Sequence, residues 1–140
     1  MSHTTYIKVR GYHLDVYQHV NNARYLEFLE DARWEYLEES GDIEHFQALG
    51  LAWVIVNINI SYRASATMGQ TLQIETHLSK VGNKSSVFHQ IIKVDGTDKV
   101  IAEADITFVV LDQKTGKAVP IEGELRERFN DHLIATGEEL

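Results

Sequence analysis

Residues 12–25 read Tyr-His-Leu-Asp-Val-Tyr-Gln-His-Val-Asn-Asn-Ala-Arg-Tyr, gathering one carboxylate, two imidazoles and, at Asn21 and Asn22, two adjacent carboxamides into one short stretch. These residue types serve one of two ends. In the first, Asp15 organises a turn, Asn21 or Asn22 caps a helix, and His13 and His19 sit in solvent. In the second they form a site, and its chemistry is definite. A helix beginning at Asn22 presents unpaired N–H groups and a positive dipole end to a developing oxyanion. A carboxylate just upstream, Asp15, supplies a base or a nucleophile, and the two together are the minimal equipment for acyl transfer. An activated ester such as a thioester suits that equipment, because its thiolate leaves without a strong general acid.

The elements that position these residues follow from periodicity. Over residues 22–39, Tyr25, Leu26, Leu29, Ala32, Tyr36 and Leu37 recur at helical spacing, with Glu27, Glu30, Asp31, Arg33, Glu38 and Glu39 mostly off that stripe. Asn21 or Asn22 starts the helix and Ser40-Gly41 ends it. A short strand is expected at residues 6–10 and a long one at 53–63, where Val54, Val56, Ile58, Ile60 and Tyr62 alternate with Asn57, Asn59, Ser61 and Arg63. Strands at 70–80, 84–94 and 100–111 are joined by Val81-Gly82-Asn83 and Asp95-Gly96-Thr97-Asp98, both with hairpin-turn chemistry, which makes them antiparallel neighbours. Leu125, Phe129 and Leu133, four residues apart, predict a closing helix.

The expected class is therefore α+β. An antiparallel five-strand sheet has one apolar face to cover, and the 22–39 helix is the element long enough to cover it. Both sheet edges stay open in a monomer, which predicts a dimer with a continuous sheet. At 140 residues, with 44% hydrophobic and 24% charged side chains and no internal linker or repeat, residues 1–140 read as one domain. The balance of 21 acidic against 13 basic residues gives a net charge of -8, which argues against a nucleic-acid partner. The absence of cysteine removes thiol nucleophiles and disulfides and fits a reducing compartment. With no signal-peptide pattern and no apolar run long enough to cross a bilayer, the expectation is a cytoplasmic chain without membrane insertion.

The run from Leu14 to Leu26 resembles the Asp-x-x-x-His-Val-Asn-Asn-x-x-Tyr signature of hotdog-fold thioesterases of the 4-hydroxybenzoyl-CoA and acyl-ACP thioesterase group. Residues 8–33, 54–63, 106–109 and 122–126 are most similar to bacterial long-chain acyl-CoA thioesterases. The resemblance implies a hotdog fold, with the sheet wrapped around one long helix, and hydrolysis of fatty acyl-CoA by a cofactor-free homodimer or homotetramer. It assigns Asp15 to the catalytic aspartate and the peptide N–H near Asn22 to the oxyanion donor, with His19 and Asn21 orienting or polarising the thioester. The plant acyl-ACP pattern departs from this chain at Tyr17, where it carries an amide, and at Ser65, where it carries a glutamate.

An acyl chain needs an apolar tunnel, for which Tyr25, Leu29, Trp53, Val54 and Val56 are candidates, though each equally suits a plain core. For the CoA phosphates, Arg63 and the 80–86 loop with Lys84 and Ser85 offer cations and backbone donors; a solvated hairpin is the alternative. Glu27, Glu30 and Asp31 are alternative acids, or a solvated helix face. No metal is expected, since His13, Asp15 and His19 lack the spacing of a metal-binding helix, and no serine-hydrolase elbow or nucleotide loop is present. Two other functions stay open. One is a hotdog hydratase acting on enoyl thioesters, whose resembling pattern sets histidine five residues after aspartate where His19 lies four after Asp15. The other is a non-catalytic acyl-CoA binding protein.

Overall fold

A computed structural model describes residues 1–136 of the chain. Its central element is α1, Asn22–Ser40, which starts where Asn21 takes an extended conformation and its side chain accepts the Ala23 N–H at 2.9 Å. It ends at Gly41, whose left-handed φ of 76° a side chain would oppose. The expected helix is thus present with its cap resolved in favour of Asn21. Gly41 also opens α2, Asp42–Ala48, a two-turn helix that residue spacing does not predict. With Phe46 as its only buried apolar residue, α2 has no stripe for periodicity to reveal.

The strands are β1 (Ser2–Lys8), β2 (Leu51–Tyr62), β3 (Thr71–Val81), β4 (Ser85–Val94), β5 (Val100–Asp112) and the two-residue β6 (Lys117–Ala118). They form one antiparallel sheet in the order β1-β3-β4-β5-β2, with β6 added beside β5. The five expected strands are all there, and β6 is additional. β1 begins at Ser2 rather than Tyr6, because pairing with β3 carries the polar Ser2-His3-Thr4-Thr5 segment that shows no alternation of its own. α3, Gly123–Thr136, closes the chain with Phe129 fully buried and Leu125 and Leu133 packed beside it.

One face of the sheet is apolar because its strands alternate in phase: Leu72, Ile74 and Leu78 from β3, Phe88 and Ile92 from β4, and Ala104, Ile106, Phe108 and Val110 from β5 are all buried. α1 lies against that face with Tyr25, Leu29, Ala32 and Tyr36. Each large side chain buried there contributes roughly 1.5–3 kcal/mol relative to exposure.

β2 departs from its simple alternation. A bulge between Ile55 and Asn57 adds one residue, so Trp53 and Ile55 pair with inward-facing Val110 and Phe108, while Ile58, Ile60 and Tyr62 pair with inward-facing Ile106, Ala104 and Ala102. Val54 and Val56 therefore leave the face that unbroken alternation assigns them. Trp53 takes the inner position instead, its ring stacked on Phe108 at 4.5 Å and 5°. β2 is also an edge strand, with Val54, Ile55, Val56, Ile58 and Tyr62 all exposed, Val56 to 56%.

Candidate functional site

Residues 13–21 form a small hairpin whose return arm runs straight into α1. Asn21 N–H donates to the His13 carbonyl at 2.9 Å, Leu14 bridges Val20, and Asp15 N–H donates to the His19 carbonyl at 2.8 Å. Gln18 closes the tip with a left-handed φ of 62°, a conformation a non-glycine residue adopts at a cost of about 1 kcal/mol. Asp15 Oδ1 accepts the Tyr17 N–H at 2.8 Å and the His19 N–H at 3.4 Å, so one carboxylate oxygen holds the tip. Its Oδ2 has no hydrogen-bond partner among the described residues. Asp15 is half-buried and His19 is exposed.

A second loop clasps the hairpin. Val20 N–H donates to the Ala66 carbonyl at 3.0 Å, and His19 bridges Thr67. Ala66 N–H in turn donates to the Tyr25 hydroxyl at 3.0 Å. Burial pushes the Tyr25 phenol above its ordinary value against the pull of that Ala66 bond, and the charge of Asp15 adds to the rise, which brings the Asp15 carboxylate into electrical contact with the first turn of α1. Tyr62 completes the arrangement from β2, its hydroxyl donating to the Asn22 carbonyl at 3.3 Å and its ring 5.7 Å from that of Tyr25.

The start of α1 has an open donor. Asn21 Oδ1 takes the Ala23 N–H and the Asn21 carbonyl takes the Arg24 N–H at 2.9 Å, whereas Asn22 N–H has no partner among the described residues. Asp15, His19, Asn21, Asn22 and Tyr25 are therefore brought together by hairpin, clasp and helix start. Asn21 spends its side chain on the cap. Neither His19 ring nitrogen has a hydrogen bond among the described residues. His13 is structural: it is buried, accepts the Arg10 N–H on Nδ1 at 2.9 Å, and meets Phe28 edge-on, and burial lowers its pKa.

The other candidates lie apart. Arg63 donates to Glu103 at 3.3 Å, on the sheet face opposite α1, where Glu103 also meets His89. Lys84 and Ser85 sit at the β3–β4 turn. Register places Ser85 beside Val109 and Tyr62 beside Ala102, so within one chain they stand toward opposite ends of the sheet. Trp53 belongs to that far end too, on the wall of a cavity of about 380 Å³ between α1, α2 and β2 that Arg33, Trp34, Leu37, Phe46 and Ile55 also line.

Two groups escaped the reading of the sequence. Arg33, expected off the apolar stripe, is buried with its guanidinium donating to Gln90 at 3.0 Å; its place four residues after Leu29 is the signal that puts it on the inner face. Asp42 is fully buried and ties the helices together: it accepts from Arg128, meets His132 Nε2 at 3.0 Å and accepts from Ser40 at 2.9 Å, while His132 Nδ1 meets the Tyr36 hydroxyl at 2.6 Å. No sequence motif joins residues this far apart. Among the described residues no group of three or more His, Cys, Asp or Glu is placed to hold a metal, and no helix is long and apolar enough to cross a membrane.

A family model described as "Thioesterase-like superfamily" matches residues 9–129. The long-chain acyl-CoA thioesterase FadM of Escherichia coli (strain K12) is 54% identical over 125 residues, covering 89% of this chain and 95% of that protein. The acyl-CoA thioesterase YbgC of Haemophilus influenzae is 28% identical over 116 residues, covering 81% and 83%. Among solved structures, YbaW, a probable thioesterase from Escherichia coli, superposes with a TM-score of 0.88 at 52% identity, covering 92% of this chain and 97% of that one.

Proposed function

The chain belongs to the thioesterase-like superfamily, and from that premise we propose that it is an acyl-CoA thioesterase that hydrolyses fatty acyl-CoA, long chains included, to the free acid and CoA. The observation that carries the reading is the open Asn22 N–H at the start of α1 with the Asp15 hairpin folded against it. In the reaction the thioester oxygen accepts the Asn22 N–H and Asp15 takes a proton from water as the water oxygen bonds to the carbonyl carbon. The electron pair then collapses from the oxyanion, the C–S bond breaks, and CoA leaves as thiolate. His19 and Asn21 border the thioester and Tyr25 backs it.

The site needs a second copy of the chain to close it. Tyr12, Val16, Tyr17, Tyr62 and Met68 are exposed around the hairpin, Val16 to 86%, and they continue the exposed apolar row of the open β2 edge. Pairing of two β2 edges in antiparallel sense covers that row. It also lays the Trp53 end of one strand toward the Tyr62 end of the other, which brings Lys84 and Ser85 of a second copy toward the site to join Arg63 in meeting the CoA phosphates. A homodimer or a tetramer built from it, working in the cytoplasm on the acyl-CoA of fatty acid metabolism, fits these features.

A panel of acyl-CoA thioesters of rising chain length, scored for thiol release alongside the solution mass, tests both parts. We expect release that depends on Asp15 and a mass of at least twice the chain. Tight acyl-CoA binding without thiol release, or a monomeric active species, is the contrary result.

A further inference from the structure

The cavity at the far end of α1 carries polar groups that a plain hydrocarbon tail leaves unused. Arg33 is 8% exposed and offers five N–H donors, yet among the described residues only one has an acceptor, Gln90 Oε1 at 3.0 Å. Gln90 is itself fully engaged, its amide donating to the Leu29 carbonyl and Thr76 Oγ1, both at 3.0 Å. No carboxylate among the described residues forms an ion pair with Arg33. Of the two acids on the same wall, Glu30 is exposed and acts on Arg33 only through its charge, without an ion pair, and Asp42 has its oxygens taken by Arg128, His132 and Ser40. A second wall residue, Trp53, has its Nε1 buried with no acceptor. Trp34, Leu37, Phe46 and Ile55 make the remaining wall largely apolar. Donors left without acceptors in an apolar cavity call for an acceptor delivered on an apolar body.

One side of α1 leads from the helix start to this cavity. Asn22, Leu26, Glu30 and Arg33 recur at helical spacing along one side of α1, and Leu26, Ile58 and Ile55 are half-exposed along the line from Tyr62 to Trp53. The helix rise makes the distance from Asn22 to Arg33 about 16 Å, the span of on the order of a dozen carbons. We propose that the cavity receives the far end of the acyl chain and that Arg33 selects chains ending in a carboxylate, so that ω-carboxyacyl-CoA thioesters are substrates. This assignment rests on the thioesterase reading. A guanidinium meets a carboxylate with two parallel hydrogen bonds, which a methyl end cannot return.

Both tryptophans of the chain line this cavity, so intrinsic emission reports its occupancy apart from turnover. The test compares 11-carboxyundecanoyl-CoA with dodecanoyl-CoA as substrates, and free dodecanedioate with methyl dodecanoate by tryptophan emission, in the wild type, Arg33→Met and Arg33→Lys. We expect the ratio of kcat/KM for the ω-carboxy over the plain thioester to fall on the order of 100-fold in Arg33→Met and less in Arg33→Lys, which keeps the charge. Dodecanedioate should shift the emission of wild type and lose that effect in Arg33→Met. An unchanged ratio overturns the proposal. So does a response equal for methyl dodecanoate and dodecanedioate, which makes the cavity indifferent to a carboxylate end. If neither thioester is hydrolysed while dodecanedioate still binds through Arg33, the hydrolytic reading fails and the carboxylate selectivity of the cavity stands.

Discussion

Two Asp–His couples stand at the two ends of α1, and their surroundings give them opposite uses. At its end, Asp42 is 0% exposed and both oxygens are occupied, by Arg128, His132 and Ser40, with Tyr36 extending the chain of bonds. Burial alone pushes the Asp42 carboxyl up, but the hydrogen bond and charge of His132, with Arg128 and Ser40, outweigh it and hold the net value below the ordinary one. At its start, Asp15 is half-buried, one oxygen held by backbone N–H groups and the other open, and His19 is exposed. A carboxylate with both oxygens engaged by charged and polar partners is a lock. One that is fixed on a single side and left with a spare oxygen beside an open N–H is equipped for chemistry.

The sharpest way to break the comparison is Asp15→Asn. The amide oxygen still accepts the Tyr17 N–H, so the turn survives while the base is lost. Thiol release should fall by roughly 100- to 10,000-fold with an unaltered circular dichroism spectrum. Near wild-type turnover would place the base elsewhere, Glu27, Glu30 and Asp31 being the next acids to test.

Asp42→Asn should do the reverse. It leaves the half-buried Arg128 guanidinium and the His132 ring without their counter-charge and should cost about 1–3 kcal/mol in denaturant unfolding. The pH dependence sharpens the same point. Because the folded value of Asp42 lies below its unfolded one, near 3.9, its stabilisation is complete above that value and is lost as pH falls through the folded value. Below about pH 4 the wild type should therefore lose stability more steeply than Asp42→Asn, as read by unfolding midpoints. Parallel curves would remove Asp42 from the lock.

Smaller effects are expected around the start of α1. If His19 borders the thioester as proposed, His19→Ala should lower turnover on the order of tenfold while leaving the fold intact, since its imidazole is exposed. Tyr62→Phe removes one hydroxyl bond to the Asn22 carbonyl and should cost at most about 1 kcal/mol, read by thermal unfolding. A larger loss in Tyr62→Phe would mean that β2 positions the helix start more firmly than one exposed bond can.

Much of the arrangement was legible beforehand where the cause is local. The 22–40 helix declared itself by spacing and by Asn21 and Gly41 at its ends, and the β3–β4–β5 strands by turn residues and in-phase alternation. The Asp15 hairpin was legible as a concentration of side chains, though not as a hairpin, since its bonds run through backbone atoms that carry no residue signature. Arg33 was misplaced because charge was read as exposure, when its spacing from Leu29 already put it inward. The β2 bulge was invisible because Val54, Val56, Ile58 and Ile60 keep an unbroken alternation across it, so no break in pattern marks the extra residue.

The sequence by itself determined which segments become helix and strand and which residues stand next to Asp15, because capping, alternation and turn chemistry act over a few neighbours. Only the tertiary structure decided which of two aspartates is locked and which is available. That choice depends on partners far along the chain, Arg128 and His132 against Asp42, and on the burial that their meeting creates.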